Sequence, residues 1–258
     1  MQASSAMSGQ AAVTERESAA HGAQRVPAGA TLAVAFGGAA AVLAAFALAR
    51  GLALGNAVVW RAAAGVLVGG GLLLMMTSQH LRAPSFGAAN GVTLVRGALT
   101  VLLAALIGAP GGDALGWTIV AVAVITVALD GVDGWLARSR NEATAFGARF
   151  DMETDALLIL VLAALVWQLD KAGIWILAAG LLRYAFVLAS YVLPWMEGAL
   201  PPSRRRQAVC VLQIVSLIGA LLPGVLPPWS SGAALVGLAL LVWSFAIDVV
   251  WLARRAHP

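Results

Sequence analysis

The sequence predicts an all-α integral membrane protein of about eight helices, and three observations carry that prediction. Of its 258 residues, 61% are hydrophobic and only 11% are charged, and a mean hydropathy of +0.89 lies beyond the range of a soluble globular domain. The apolar residues fall into runs of roughly 20, the length that crosses a bilayer as helix. Backbone N–H and C=O groups cannot be left facing lipid, so such runs are helices rather than open strands. The runs are made mostly of Ala, Leu, Val and Gly, small residues that let helix backbones approach closely in a bundle. In such a chain a formal charge of +4 reports orientation and contact with anionic lipid, and no nucleic-acid-binding pattern accompanies it. The single cysteine, Cys210, excludes an intrachain disulfide and a cysteine-based zinc site and reads as a small hydrophobe on a helix.

Residues 1–28 are polar and small, without apolar periodicity, and read as a disordered cytoplasmic tail. Two additional transmembrane helices are expected over 29–79: Thr31 to about Leu48, ending at Arg50, and Asn56 to about Met76, with Arg61 near its start. The connector from Thr77 to Phe86 mixes His80 and Arg82 with Leu81 and Phe86 around Pro84, the composition of a segment lying at the headgroups. A third run, Gly91 to Ile107, closes on the turn Pro110-Gly111-Gly112-Asp113. The fourth, Leu115 to Leu129, enters an aspartate-rich stretch without a break. The fifth, Ala156 to Trp167, extends back through Asp155 and Asp151, and the sixth runs from Ile174 to Leu193. A basic loop, Pro201 to Gln207, precedes the seventh, Ala208 to Leu222, and prolines 223, 227 and 228 precede the eighth, Gly232 to Trp251. The nine tryptophans fall mostly near helix ends, as interface anchors do.

With a cytoplasmic amino terminus and eight crossings, one side collects Arg16, Arg25, Arg82, Arg138, Arg140, Arg149, Arg204, Arg205, Arg206, Arg254 and Arg255. The other holds Arg50, Arg61 and Lys171. That bias predicts a multi-pass cell-membrane protein with the 130–155 stretch on the cytoplasmic side.

This stretch, DGVDGWLARSRNEATAFGARFDMETD, carries Asp130, Asp133, Asp151 and Asp155. Asp130 and Asp133 share one helix face, as do Asp151 and Asp155. A turn through Ala137–Phe150 would lay the fourth and fifth helices side by side and bring both carboxylate pairs together at their cytoplasmic ends. Four such charges repel and desolvate badly. One or two hard divalent cations resolve this, and an all-oxygen site suits Mg²⁺ or Mn²⁺. Gly134 and Gly147 leave room for a ligand against the backbone, and Arg138 offers a bidentate fork to a phosphate. Carboxylates, metal and arginine together describe phosphoryl or diphosphate chemistry.

The pattern Asp130-x-x-Asp133-Gly134-x-x-Ala137-Arg138, eight residues, Gly147, three residues, Asp151, three residues, Asp155 resembles the signature of the CDP-alcohol phosphotransferases, with every fixed position filled. Asn90-x-x-Thr93-x-x-Arg96, one helix upstream, resembles that family's nucleotide-side element. The resemblance implies a six-helix catalytic core, placed here within 80–258, preceded by the two extra helices. It implies transfer of a phosphatidyl group from a CDP-linked lipid such as CDP-diacylglycerol to an alcohol, with release of CMP, in phospholipid biosynthesis. By the same resemblance Asp130, Asp133, Asp151 and Asp155 hold two metal ions, and Asp155 also takes the acceptor proton. Asn90, Thr93, Arg96, Asp130, Gly134, Ala137, Arg138 and Gly147 line the CDP-donor site, and the protein is a homodimer.

On the acceptor side, Arg183 within the sixth span needs a partner, either an acidic acceptor or a carboxylate such as Asp248. Tyr184 stands beside it, and Arg204 and Arg205 lie in the basic loop on the same side as the aspartates. These residues favour a phosphorylated polyol such as glycerol 3-phosphate or an inositol phosphate. Inositol, serine, choline and ethanolamine remain open. Two other classes compete. An intramembrane prenyltransferase using an isoprenyl diphosphate carries its two aspartate motifs far apart in sequence, not in one hairpin. A divalent-cation transporter, a non-enzyme, needs neither Gly134 nor Arg138 at these spacings.

Overall fold

The computed structural model describes residues 28–80, 86–140, 143–196, 198, 200–201 and 203–256. The tail expected over 1–28, all but Ala28, and the centre of the expected interfacial connector, 81–85 with Arg82 and Pro84, lie outside the described residues. The fold is all-helical, with eight α-helices among those described. They are α1 (Ala28–Gly51), α2 (Ala57–His80), α3 (Ala88–Ala105), α4 (Asp113–Ser139), α5 (Ala145–Gln168), α6 (Leu177–Val192), α7 (Arg204–Leu221) and α8 (Trp229–Ala256).

Six of them, α1, α2, α3, α4, α6 together with the 3-10 turn Ile174–Ile176 before it, and α8, are long and apolar enough to cross a membrane, against the eight crossings expected. The other two owe the difference to charge. The first half of α5 carries Arg149, Asp151, Glu153 and Asp155, and α7 opens on Arg204, Arg205 and Arg206. The apolar half of α5 is enclosed by protein, with Leu158, Leu162, Leu165 and Val166 all buried. The three arginines expected in a loop form the first turn of α7.

The centre of the bundle is α3, which packs on α1, α2, α4 and α5. Among the described residues α4 and α5 do not pack on each other, so the expected side-by-side hairpin is replaced by a three-helix arrangement with α3 between its arms. Helix α3 packs on both arms, and its Arg96 draws carboxylates from both to one guanidinium.

The helix ends away from the aspartates are tied by side chains that meet terminal carbonyls, which no helix can satisfy internally. Arg61 Nη1 of α2 donates to Ile107 O (2.5 Å) and Ala105 O (3.3 Å) beyond and within the last turn of α3. There the chain turns at Gly108 with φ 78°, where a Cβ would lie 3.2 Å from the guanidinium. Gln168 at the end of α5 accepts from Gly108 N (2.5 Å) and donates to Ala109 O (3.1 Å). Buried Lys171 donates to Leu222 O, Pro223 O and Val225 O at 3.1, 3.3 and 2.7 Å. With this end fixed, the opposite ends of α3, α4 and α5 present the site.

Candidate active site

Local sequence places each functional side chain before packing does. Thr144 caps α5, its Oγ1 accepting from Gly147 N at 3.0 Å, which sets the start of the helix that carries Asp151 and Asp155. Helix α4 continues through Asp130 and Asp133 to Ser139, and i, i+3 spacing turns both carboxylates to one side. On α3, Asn90, Thr93 and Arg96 recur at three-residue steps and are all buried.

Arg96, with 1% of its surface exposed, holds the centre. Its Nη2 lies 2.7 Å from Asp130 Oδ1 and also bonds Asp155 Oδ1. Its Nη1 lies 2.7 Å from Asp133 Oδ2 and 2.5 Å from Asp151 Oδ1. One planar, permanently charged fork thus touches all four carboxylates. The resemblance puts Arg96 on the nucleotide; the structure puts its guanidinium among the aspartates. This counter-charge role was missed, although a lone arginine in an apolar helix demands an acidic partner.

The four aspartates are not equivalent. Oxygens of Asp130, Asp151 and Asp155 lie within 4.8 Å of one another, all three half-buried. Asp133 stands outside that group and is buried, its Oδ2 accepting from Thr93 Oγ1 at 3.0 Å as well as from Arg96. Three converging hard oxygen donors at this separation fit a divalent cation of the Mg²⁺ or Mn²⁺ class. An ionised carboxylate offers about four lone-pair directions, so contact with Arg96 leaves acceptor capacity on each. Among the described residues, buried Arg96 Nε has no partner, a donor left over beside the cluster that suits an anionic oxygen.

Around this centre, the Asn90 amide donates to Phe86 O at 2.6 Å, and its Oδ1 would lie 2.9 Å from a Cβ at position 147. Gly147 therefore lets α5 close on α3 at the mouth of the site. At Gly134 a Cβ would lie 3.3 Å from Arg138 Nη1, so the arginine folds back along α4. Ala137 is half-buried beside it, and Arg138 is exposed. From α7, Cys210 Sγ approaches Asp155 Oδ2 at 3.8 Å; the residue expected to be a plain hydrophobe borders the site.

The residues expected on the acceptor side do not gather around the aspartates. Arg183 Nη2 pairs with Glu153 Oε1 at 2.6 Å, not with Asp248, and Tyr184 is exposed. Asp248 Oδ1 is taken by Arg205 Nη2 at 2.5 Å and Arg206 Nη1 at 3.3 Å. Arg205 also donates to Ser244 O and Oγ and lies over the Trp243 ring. These contacts offset the cost of cations at a helix N-terminus. Among the described residues Arg204, exposed in the same turn, stands outside these pairs.

A family model described as CDP-alcohol phosphatidyltransferase matches residues 86–250, well over half of the chain, from just before α3 into α8. No curated protein sequence and no solved structure matches the chain.

Proposed function

Because the chain belongs to the CDP-alcohol phosphatidyltransferase family, we propose that it transfers the phosphatidyl group of CDP-diacylglycerol to an alcohol acceptor and releases CMP, in phospholipid biosynthesis at the cytoplasmic face of a cell membrane. The observation that carries this reading is the convergence of Asp130, Asp151 and Asp155 around one buried arginine, within the matched region. Asp130, Asp151 and Asp155 would hold Mg²⁺ or Mn²⁺, with Asp133 beside them as a further ligand for a second ion. Bound there, the metal supplies charge neutralisation for the diphosphate and the departing phosphate and eases ionisation of the acceptor hydroxyl.

The chain's own groups do the rest. Asp155 takes the acceptor hydroxyl proton. The hydroxyl oxygen forms its bond to the phosphatidyl phosphorus as the bond to the bridging diphosphate oxygen breaks, and that oxygen leaves with CMP. Arg96 holds the carboxylates in place before substrate arrives, a preorganisation that lowers the barrier without reorganisation during the reaction. Thr93 orients Asp133, and Asn90, Gly134, Ala137, Arg138 and Gly147 line the cytidine diphosphate. For the acceptor, Arg204 offers the cation not engaged in the Asp248 pairs, which favours a phosphorylated polyol. Arg205, in the same turn and held on Asp248, supports that side, whereas Arg183 is held on Glu153 and Tyr184 lines a different cavity beside that pair. A second copy of the chain completes a homodimer.

The test is purified protein in lipid vesicles with CDP-diacylglycerol, Mn²⁺ or Mg²⁺ and a panel of free and phosphorylated alcohols, with products identified by mass. CMP in equal amount to one new phospholipid is the expected outcome. Pyrophosphate released from an isoprenyl diphosphate, or metal flux across the vesicle without lipid turnover, would replace this reading by a prenyltransferase or a transporter.

A further inference from the structure

The flank of α3 next to the one that meets the aspartates borders a cavity of about 520 Å³, within the range of roughly 300–1,000 Å³ common for ligand pockets. Its walls come from α1, α2, α3, α5 and α6. Six glycines line it: Gly37 and Gly38 on α1, Gly65, Gly69 and Gly70 on α2, and Gly97 on α3. They divide by task. Cβ atoms at Gly65 and Gly70 would meet Val101 and Val34 at 2.8 and 2.9 Å, so these positions let the helices close along the edges. At Gly69 and Gly97 nothing lies within 4 Å, so these positions face the hollow.

Three features identify the occupant. The polar lining is Arg149, Glu153 and Thr154 in the first half of α5, with Tyr184 of α6 beside Glu153. Glu153 is already neutralised by Arg183, which among the described lining residues leaves exposed Arg149 as the net charge at this mouth. Most of the remaining wall is apolar parts of α1, α2 and α3, which are long and apolar enough to cross a membrane, so acyl chains are the solvent expected around it. Finally, the cavity and the aspartate site share two helices. Phe150 and Thr154 of the wall precede Asp151 and Asp155 by one residue each, and Leu94 and Gly97 flank Arg96. An apolar hollow with a cationic mouth, one helix face from a diphosphate-type site, matches an amphiphile with an anionic headgroup.

We propose that this cavity holds one acyl chain of the CDP-linked lipid donor, and that α1 and α2, which lie outside the matched family region, set the chain length the protein accepts. The donor's identity rests on the function proposed above; the existence of an acyl-chain site does not. Gly69→Phe fills the hollow from a position with open space around it.

Two measurements test the proposal on the full-length protein in nanodiscs. In the first, CDP-diacylglycerol carrying a diazirine at the end of one acyl chain is photolysed and the labelled peptides are mapped by mass. Label on the cavity-facing parts of α2 and α3, lost in Gly69→Phe, is the expected result. Equal labelling by a diazirine phosphatidylcholine that excess CDP-diacylglycerol does not displace would assign the cavity to bulk lipid and overturn the proposal. Label confined to other helices would overturn it as well. In the second, Gly69→Phe lowers the kcat/KM preference for long-chain over short-chain donors by about tenfold, the equivalent of about two buried methylenes. An unchanged preference overturns the chain-length role. Labelling of the cavity by the CDP-lipid without CMP release from any acceptor would instead sink the proposed reaction and leave the site standing.

Discussion

Helix α3 has two working faces, and they are built from opposite materials. One presents Thr93 and Arg96 to four carboxylates from α4 and α5, with Asn90 against Gly147 of α5. The other presents Leu94, Gly97, Ala98 and Val101 to an apolar hollow. The polar face has almost every donor committed, and each partner is held in place by another. The apolar face is defined by missing side chains. Chemistry requires fixed charges at fixed positions, because a loosely held carboxylate reorganises as the reaction proceeds. Accommodation of a flexible chain requires space and no directional bond. The two faces are therefore expected to fail differently when altered.

The largest effect is expected on the polar face at the site of proton transfer. Asp155→Asn removes the proposed base and a proposed metal ligand, and CMP release is expected to fall by about 10²–10⁴-fold, the usual weight of a general base. A variant that kept normal turnover at normal metal affinity would remove Asp155 from that role. Arg96→Ala comes next and acts on stability as well as rate. It leaves four carboxylates without their shared cation; breaking a fully buried pair costs about 3–5 kcal/mol, and the half-buried aspartates place the expected loss below that. A lower thermal midpoint in detergent, partly restored by Mn²⁺, is the expected readout, and Arg96→Lys is not expected to rescue, since a point charge cannot span four carboxylates. If Mn²⁺ had no stabilising effect on Arg96→Ala, the carboxylates would not form the metal site.

A smaller loss, about 1–2 kcal/mol of stability, is expected for Thr93→Val, which strips one hydrogen bond from buried Asp133; thermal unfolding beside a turnover assay measures both consequences. The smallest effect is expected at the mouth of the hollow. Arg149→Gln removes an exposed charge, and KM for the CDP-lipid is expected to rise about 2–5-fold with kcat kept, the scale of a surface ion pair. The difference should shrink as salt is raised. A fall in kcat of the size expected for Asp155→Asn would show that the two faces are not separate.

How much of this was legible in the sequence follows from the kind of signal each feature leaves. All eight helices could be read from runs of apolar residues, and the aspartates from their rarity in such a chain and their helical spacing. The neighbours of each helix could not. Spacing along one chain says that Asp151 and Asp155 share a face, but not that α3 stands between α4 and α5. Arg96 was visible as a residue and its partners were not, because they lie 34 to 59 positions away. Arg183 shows the same limit: an arginine in a span demands a carboxylate, and the choice between Glu153 and Asp248 depends on packing. The hollow left the weakest trace, since scattered glycines on three helices become a cavity only when those helices are brought together.

The most direct test of the central claim is single-turnover CMP release from CDP-diacylglycerol by the reconstituted protein, measured with Mn²⁺, after EDTA, and in Asp155→Asn. The expected result is release of one CMP per protein with Mn²⁺ and acceptor present, abolished by EDTA, restored by added metal, and lost in Asp155→Asn while the variant still binds the CDP-lipid. CMP release that survives both metal removal and Asp155→Asn would contradict the assignment of chemistry to the polar face of α3.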